Sequence, residues 1–236
     1  MHDITKFKEV EMLKTDFINT VSHEFRTPLT SIAMAINMLI ESEYSEEKLE
    51  LLNIAKEEEL HLEKLVSELL DISKFESGKI EMEFEKVDIK KVLKGIKNTF
   101  KLQLEEKNIK LNIEILTEKI YIKADFNKIS WVMINLIGNS IRYTDIGGII
   151  EVEIKDIDKK MLISVKDNGR GIPKEYIEKI FEKFVQLKIE DEESNGSTGL
   201  GLAICKEIIK AHNGDIWGES EENQGATFFF TLKLEN

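Results

Sequence analysis

The chain is poor in several things at once, and each shortage closes a class of function. One cysteine in 236 residues, Cys205, cannot form an intrachain disulfide and points to a reducing compartment. It falls in an apolar helical run and reads as core, and no His/Cys spacing suggests a transition-metal site. Cations are scarce: 33 Lys and Arg stand against 45 Asp and Glu, a net charge of −12. That argues against a nucleic-acid partner, because affinity for a phosphate backbone rests mostly on Lys and Arg. No stretch approaches the roughly 18 uninterrupted apolar residues that span a bilayer, and no charged-then-apolar leader opens the chain. The expected setting is cytoplasmic, with a membrane involved only through segments upstream of residue 1. Helical periodicity is already running by about residue 6, as in a piece of a longer protein. What is present, 42% hydrophobic and 33% charged residues, suits proper cores under a soluble surface.

A histidine stands in the first helical region, over residues 6–41, within Phe17-Ile-Asn-Thr-Val-Ser-His23-Glu24-Phe25-Arg26-Thr27-Pro28. Phe17, Val21 and Phe25 recur every four residues, as one helix face does. His23 lies roughly 200° around the helix from that stripe, so it projects away from the packed side with Glu24 beside it. An outward imidazole next to a carboxylate is a candidate nucleophile with its own base; on its own, a solvated surface histidine explains it as well. Thr27 falls one turn beyond His23 on the same face. Pro28 cannot donate to the carbonyl of Glu24, so a kink is expected there. The stripe continues through Leu29, Ile32, Ile36 and Leu39. A turn over residues 41–45 leads to a second long helix, with Leu62, Leu65, Leu69 and Ile72 in 3-4-3 spacing, ending near Ser77-Gly78. A lone hairpin cannot cover both stripes. Pairing with a second copy into a four-helix bundle is the expected solution. His61, among glutamates, reads as a solvated surface group, and His212, ending a helix, as a group whose partial positive charge suits the helix dipole.

From about Ile80 the period changes. Short β-branched or alternating runs (80–87, 109–116, 149–154, 162–165 and 226–234) interleave with helical runs near 88–106, 125–142, 174–183 and 200–212. Strands alternating with helices indicate a separate α/β domain. The polar segment from Gln186 to Thr198 is expected to be a mobile loop.

Several patterns in this half suit a nucleotide. Asn135 and Asn139 sit at i and i+4 on one helix face, and paired amide oxygens suit a hard Mg²⁺ ion held mainly by phosphates and water. Arg142, a turn further on, can neutralise phosphate. Asp167-Asn-Gly169-Arg-Gly171 follows a strand, giving a carboxylate to accept from a base amino group and glycines for close backbone approach; turn chemistry explains the same residues. Phe181 and Phe184 are expected to anchor the base of the mobile loop. Gly196-Ser-Thr198-Gly199-Leu200-Gly201 opens a helix, where free N–H groups and the dipole suit phosphate. It is neither the Walker lysine pattern nor the dinucleotide fingerprint.

Taken in order, these segments resemble the sensor histidine kinases of two-component signalling. The stretch around His23 looks like that family's H box, Asn135–Thr144 its N box, Asp167–Gly171 and Gly196–Gly201 its two glycine boxes, and Phe181–Phe184 its F box. The tail from Ala211 to Phe230, with Trp217, looks like its closing strands. The resemblance implies a helical hairpin over residues 1–78, with a signalling-helix start at 1–14, that dimerises into a four-helix bundle. It implies, over residues 79–236, an α/β sandwich of the GHKL type (gyrase, Hsp90, histidine kinase, MutL) with an ATP lid at about 186–199. Its cofactors would be ATP and Mg²⁺. Asp167 would take the adenine amino group, with Gly169 and Gly171 beside it, and Asn135 and Asn139 would hold the metal. Arg142 and the segment Thr198, Gly199, Leu200 and Gly201 would bind phosphates, and Tyr143 would line the pocket. His23 would be phosphorylated with help from Glu24 and pass the phosphoryl group to an aspartate of a response-regulator receiver domain. Thr27 would support dephosphorylation of that partner. Ser140, Arg142 and Asn213 depart from the commoner Ala, Lys and Gly without removing a required group. The alternative is a GHKL-type ATPase or conformational clamp without phosphotransfer, which shares everything except the His23-Glu24 helix.

Overall fold

The computed structural model describes residues 25–39, 45–76, 82–186 and 199–235, which divide into two compact units between Ser73 and Lys74. In the first unit, residues 25–39 form helix α1 and Ser45–Glu76 form helix α2. Ala35, Leu51 and Leu65 are buried, and Leu62 and Leu69 of the expected α2 stripe are half-buried. Leu29 and Ile36 of the expected α1 stripe remain exposed, as do Leu52 and Leu70 on α2 outside the stripe read from the sequence. His61 is half-buried on α2, more enclosed than a freely solvated group.

The second unit is a two-layer α/β sandwich. Its elements run β1 (Glu85–Asp88), α3 (Ile89–Thr99), α4 (Lys101–Glu106), β2 (Lys110–Ile115), β3 (Tyr121–Ala124), α5 (Phe126–Tyr143), β4 (Ile149–Ile157), β5 (Lys160–Asp167), α6 (Gly201–Ala211), β6 (Ile216–Ser220) and β7 (Ala226–Lys233). The main sheet has the order β2-β4-β5-β7-β6, with β2 and β4 parallel and the other neighbours antiparallel. A small antiparallel β1-β3 ribbon joins the main sheet only beyond the end of β7, where Ile122 bridges to Leu234 and Glu235 N–H donates to the Tyr121 carbonyl at 2.9 Å. Alternation along the strands sorts the two faces. Ile150, Val152, Ile154, Met161, Ile163, Val165, Phe228, Phe230 and Leu232 are buried, as are Ile129, Val132, Met133, Leu136 and Ile137 of α5 and Ile204, Ile208 and Ile209 of α6. Glu151, exposed on β4, pairs with Lys166 across to β5. Cys205 is fully buried, as its apolar run implied.

Three local expectations are corrected. The run 88–106 is two helices, broken at Phe100, not one. The Thr99 hydroxyl donates to the Gly95 carbonyl at 3.1 Å, a back-bond that bends helices. The segment 174–183 is a chain of tight turns: Tyr176 N–H donates to Pro173, Lys179 to Tyr176 and Glu182 to Lys179. The i→i+3 bonds are joined by a single four-residue bond, Ile180 N–H to the Tyr176 carbonyl at 2.9 Å, so tight turns hold the segment between Pro173 and buried Ile180 and Phe181. Strand β3 was not anticipated, because its four residues run directly into the start of α5.

Candidate functional site

Helix α5 is the platform. Asp125 caps it, Oδ1 accepting from Lys128 N–H at 3.1 Å, while Oδ2 accepts from Glu83 N–H at 3.1 Å. The Asp125 N–H donates to Nε2 of buried His212 at 3.0 Å, and the other ring nitrogen lies 2.8 Å from the Ile208 carbonyl. Nε2 is thus an acceptor and Nδ1 carries the proton. Burial holds the His212 pKa below its ordinary value, against the opposing pull of the Ile208 carbonyl and Asp125. This overturns the expectation of a partially positive histidine at a helix end: the ring is enclosed and must accept a hydrogen bond, so it is neutral.

The apolar side of α5 is pinned in the core, which leaves Asn135, Asn139, Arg142 and Tyr143 on the other side, half-buried except for exposed Arg142. The Asn135 amide nitrogen donates to the Trp131 carbonyl at 3.0 Å, so Oδ1 is turned outward as an acceptor. A Cβ at Gly201 would lie 2.6 Å from that oxygen. Any larger residue at the first position of α6 would force the Asn135 amide to move. No side-chain cap is found at the α6 N-terminus among the described residues, and the Asn135 oxygen stands beside that helix start. That donor set fits a hard cation with phosphate oxygens.

Asp167 ends β5 and is buried. Its Oδ1 accepts from the N–H groups of Gly169 at 3.0 Å and Ala226 at 3.2 Å, and its Oδ2 from the Ser140 hydroxyl at 3.1 Å. Burial raises the carboxyl pKa, and the three hydrogen bonds work against that rise. Oδ2 keeps acceptor capacity beyond Ser140. The glycines of this loop are required by the protein's own backbone. A Cβ at Gly169 would lie 2.2 Å from the Tyr143 carbonyl, and one at Gly171 2.1 Å from that of Glu221. The Arg170 guanidinium lies 4.5 Å above the Tyr143 ring. Thr144, the C-cap of α5, is buried, and its hydroxyl oxygen has no hydrogen-bond partner among the described residues.

Phe181 is buried with its ring edge against Phe228. Phe184, at φ +62°, donates its N–H to the Gly199 carbonyl at 2.9 Å, which ties together the chain on either side of residues 187–198. Contacts thus join Asn135 to Gly201, Tyr143 to Gly169, and Asp167 to Gly169 and Ser140. Thr27 is exposed on α1. His23, Glu24 and Thr198 lie outside the described residues, as does most of the expected lid. Two further residues stand against these groups, Ser140, which the sequence marks only as a departure from the family pattern, and Thr144, which it marks only as the end of a motif. Ser140 alone left a signal, a small hydroxyl on the buried side of an otherwise apolar helix.

Residues 13–78 match the family described as "His Kinase A (phospho-acceptor) domain". Residues 124–236 match "Histidine kinase-, DNA gyrase B-, and HSP90-like ATPase". The chain belongs to the sensor histidine kinase family. It is 33% identical over 236 residues to the sensor histidine kinase WalK of Bacillus subtilis, covering 98% of this chain and 38% of that protein. It is 35% identical over 239 residues to the sensor protein kinase WalK of Staphylococcus aureus, covering 100% of this chain and 57% of that one. The chain thus spans well under two thirds of the relatives' length. Among solved structures, the catalytic domain of histidine kinase ThkA superposes with a TM-score of 0.58 at 34% identity, over 65% of this chain and 97% of that one. ThkA in complex with response regulator protein TrrA gives a TM-score of 0.76 at 29% identity, over 97% of this chain and 64% of that one.

Proposed function

We propose that the protein is an ATP-dependent histidine autokinase that phosphorylates His23 and passes the phosphoryl group to an aspartate of a receiver domain. The observation that carries this reading is the buried Asp167 carboxylate, fixed by three donors yet still able to accept, in a chain whose phospho-acceptor family match spans His23. The proposed division is a dimerisation and phosphotransfer hairpin at 1–78, an ATP-binding domain at 79–236 and a lid at about 186–199.

Asp167 Oδ2 accepts from the adenine amino group, while Tyr143 and the Gly169–Gly171 loop line the nucleotide. Mg²⁺, held by the amide oxygens of Asn135 and Asn139 together with phosphate, would neutralise charge on the phosphates. Arg142 and the backbone from Thr198 through Gly199, Leu200 and Gly201 bind the phosphate oxygens. A ring nitrogen of His23 attacks the γ-phosphorus in line, the bond to the bridging oxygen breaks and ADP leaves, and Glu24 takes the imidazole proton. Transfer of this kind is mostly positioning and charge neutralisation. A receiver aspartate then attacks the phosphohistidine, and Thr27 orients a water when the partner is dephosphorylated. The complex of ThkA with a response regulator supports a receiver as partner. Exposed Leu29, Ile36, Leu52 and Leu70 support a homodimer built on the hairpin. No helix among the described residues is long and apolar enough to cross a membrane.

The test is incubation with γ-labelled ATP and Mg²⁺. The protein is expected to gain acid-labile, alkali-stable label that His23→Gln lacks while still binding ADP. ATP hydrolysis without protein-bound label would establish the ATPase or clamp instead.

A further inference from the structure

Lys107 is the C-cap residue of α4, and its own N–H donates to the Gln103 carbonyl. Its ammonium group reaches across to α5 and donates to the carbonyls of Ile141 at 2.8 Å, Arg142 at 3.1 Å and Thr144 at 3.2 Å. An ammonium has three protons and no acceptor, so three carbonyls use its whole capacity. They are among the last carbonyls of α5, which have no partner inside the helix and form the negative end of its dipole. The grip continues through the backbone. The Lys107 carbonyl accepts from Gly147 N–H at 2.8 Å, and Lys110 N–H donates to Gly148 at 3.0 Å. One residue therefore holds the α5–β4 turn by side chain and main chain together.

That turn carries the nucleotide groups. Ser140, one turn before the cap, donates to Asp167, and the Tyr143 carbonyl accepts from Arg170 N–H at 3.3 Å while sitting under Gly169. The orphaned Thr144 hydroxyl is on the residue whose carbonyl Lys107 holds. The N-terminal end of α5 is fixed separately by Asp125 and His212. Lys107 thus sets the register of the last turn of α5 against the Asp167–Gly171 loop without needing to touch nucleotide.

We infer that Lys107 is a positioning residue for nucleotide binding, acting through the three carbonyls at the end of α5. The inference rests on the nucleotide-site reading above. The test uses the full chain with ADP as probe, at a temperature well below the melting midpoint. Lys107→Met is expected to raise the Kd for ADP at least tenfold while circular dichroism shows a folded protein. Lys107→Cys alkylated with bromoethylamine regains an ammonium at nearly lysine reach, and native Cys205 is fully buried, so mass spectrometry can confirm a single modified thiol. The alkylated protein is expected to recover affinity to within about threefold, which a merely space-filling role would not produce. Wild-type affinity in folded Lys107→Met, or no recovery on alkylation, would overturn the assignment. So would failure of both unmodified variants to fold, because Lys107 would then be a general stabiliser. If the unaltered protein does not bind ADP, the nucleotide-site reading itself falls; if it binds and Lys107→Met binds equally, only the role of Lys107 falls.

Discussion

Asp167 works against the fold it sits in. Its pKa is raised by burial, so its contribution to stability is fully present below the unfolded value of 3.8 and is lost as pH rises through the folded-state value. At neutral pH the ionised carboxylate therefore weighs against folding. An amide can still accept the Gly169 and Ala226 N–H groups, and its nitrogen can donate to the Ser140 oxygen. Asp167→Asn is accordingly expected to melt no lower than the wild type in calorimetry while binding ADP roughly 10- to 100-fold more weakly, the loss of one charge-assisted hydrogen bond. A lower melting point with intact affinity would reverse the roles given to this residue. His212 has the opposite sign of dependence. Its pKa is lowered by burial, so its stabilising contribution is complete above the unfolded value of 6.5 and is lost as pH falls from there through the folded-state value. Melting midpoints of the wild type are expected to drop as pH falls below 6.5, and the drop is expected to shrink in His212→Gln, whose side-chain oxygen can take over the Asp125 N–H.

Among the elements, α5 is the one the sequence describes best, because cap, apolar stripe and polar face all agree along it. The 3.6-residue period places Asn135 and Asn139 together, and the strand-end position of Asp167 is equally readable. What the period cannot convey is where backbone groups find partners. Lys107 donates only to main-chain carbonyls, which look alike in every sequence, so nothing in its neighbours marks it. The turns at 174–183 hide for a related reason: they differ from a helix in which carbonyl each N–H finds, Tyr176 reaching Pro173, Lys179 reaching Tyr176 and Glu182 reaching Lys179, and residue types do not show that. The meeting of α5 with α6 gives a prediction at this scale. A Cβ at Gly201 would intrude on Asn135 Oδ1, so Gly201→Ala is expected to weaken Mg²⁺-dependent ADP binding at least tenfold while adenosine binding, measured without metal, is unchanged. Equal loss for both ligands would place Gly201 in the fold and not in the phosphate and metal site.

At the scale of the whole molecule, the order of motifs along the chain carried more than any one of them, since a glycine loop or a lone helical histidine has plain structural explanations. Assembly is legible in the sequence only as two apolar stripes that one hairpin cannot cover; in the structure Leu29 of the first stripe is exposed, and so are Leu52 and Leu70 of α2, which the stripes do not include. Leu52→Glu combined with Leu70→Glu is expected to shift the protein from dimer to monomer in sedimentation equilibrium, with ADP affinity kept because the nucleotide site lies in the other unit. The central claim is that a nucleotide held at Asp167 delivers its terminal phosphoryl group to one imidazole, and locating that group by fragment mass spectrometry under alkaline handling tests it most directly. After Mg-ATP at a concentration near the wild-type Kd, the unaltered chain is expected to carry a single phosphoryl group on His23 and Asp167→Asn to carry far less; phosphate on another residue, or on none while ATP is consumed, would contradict the account.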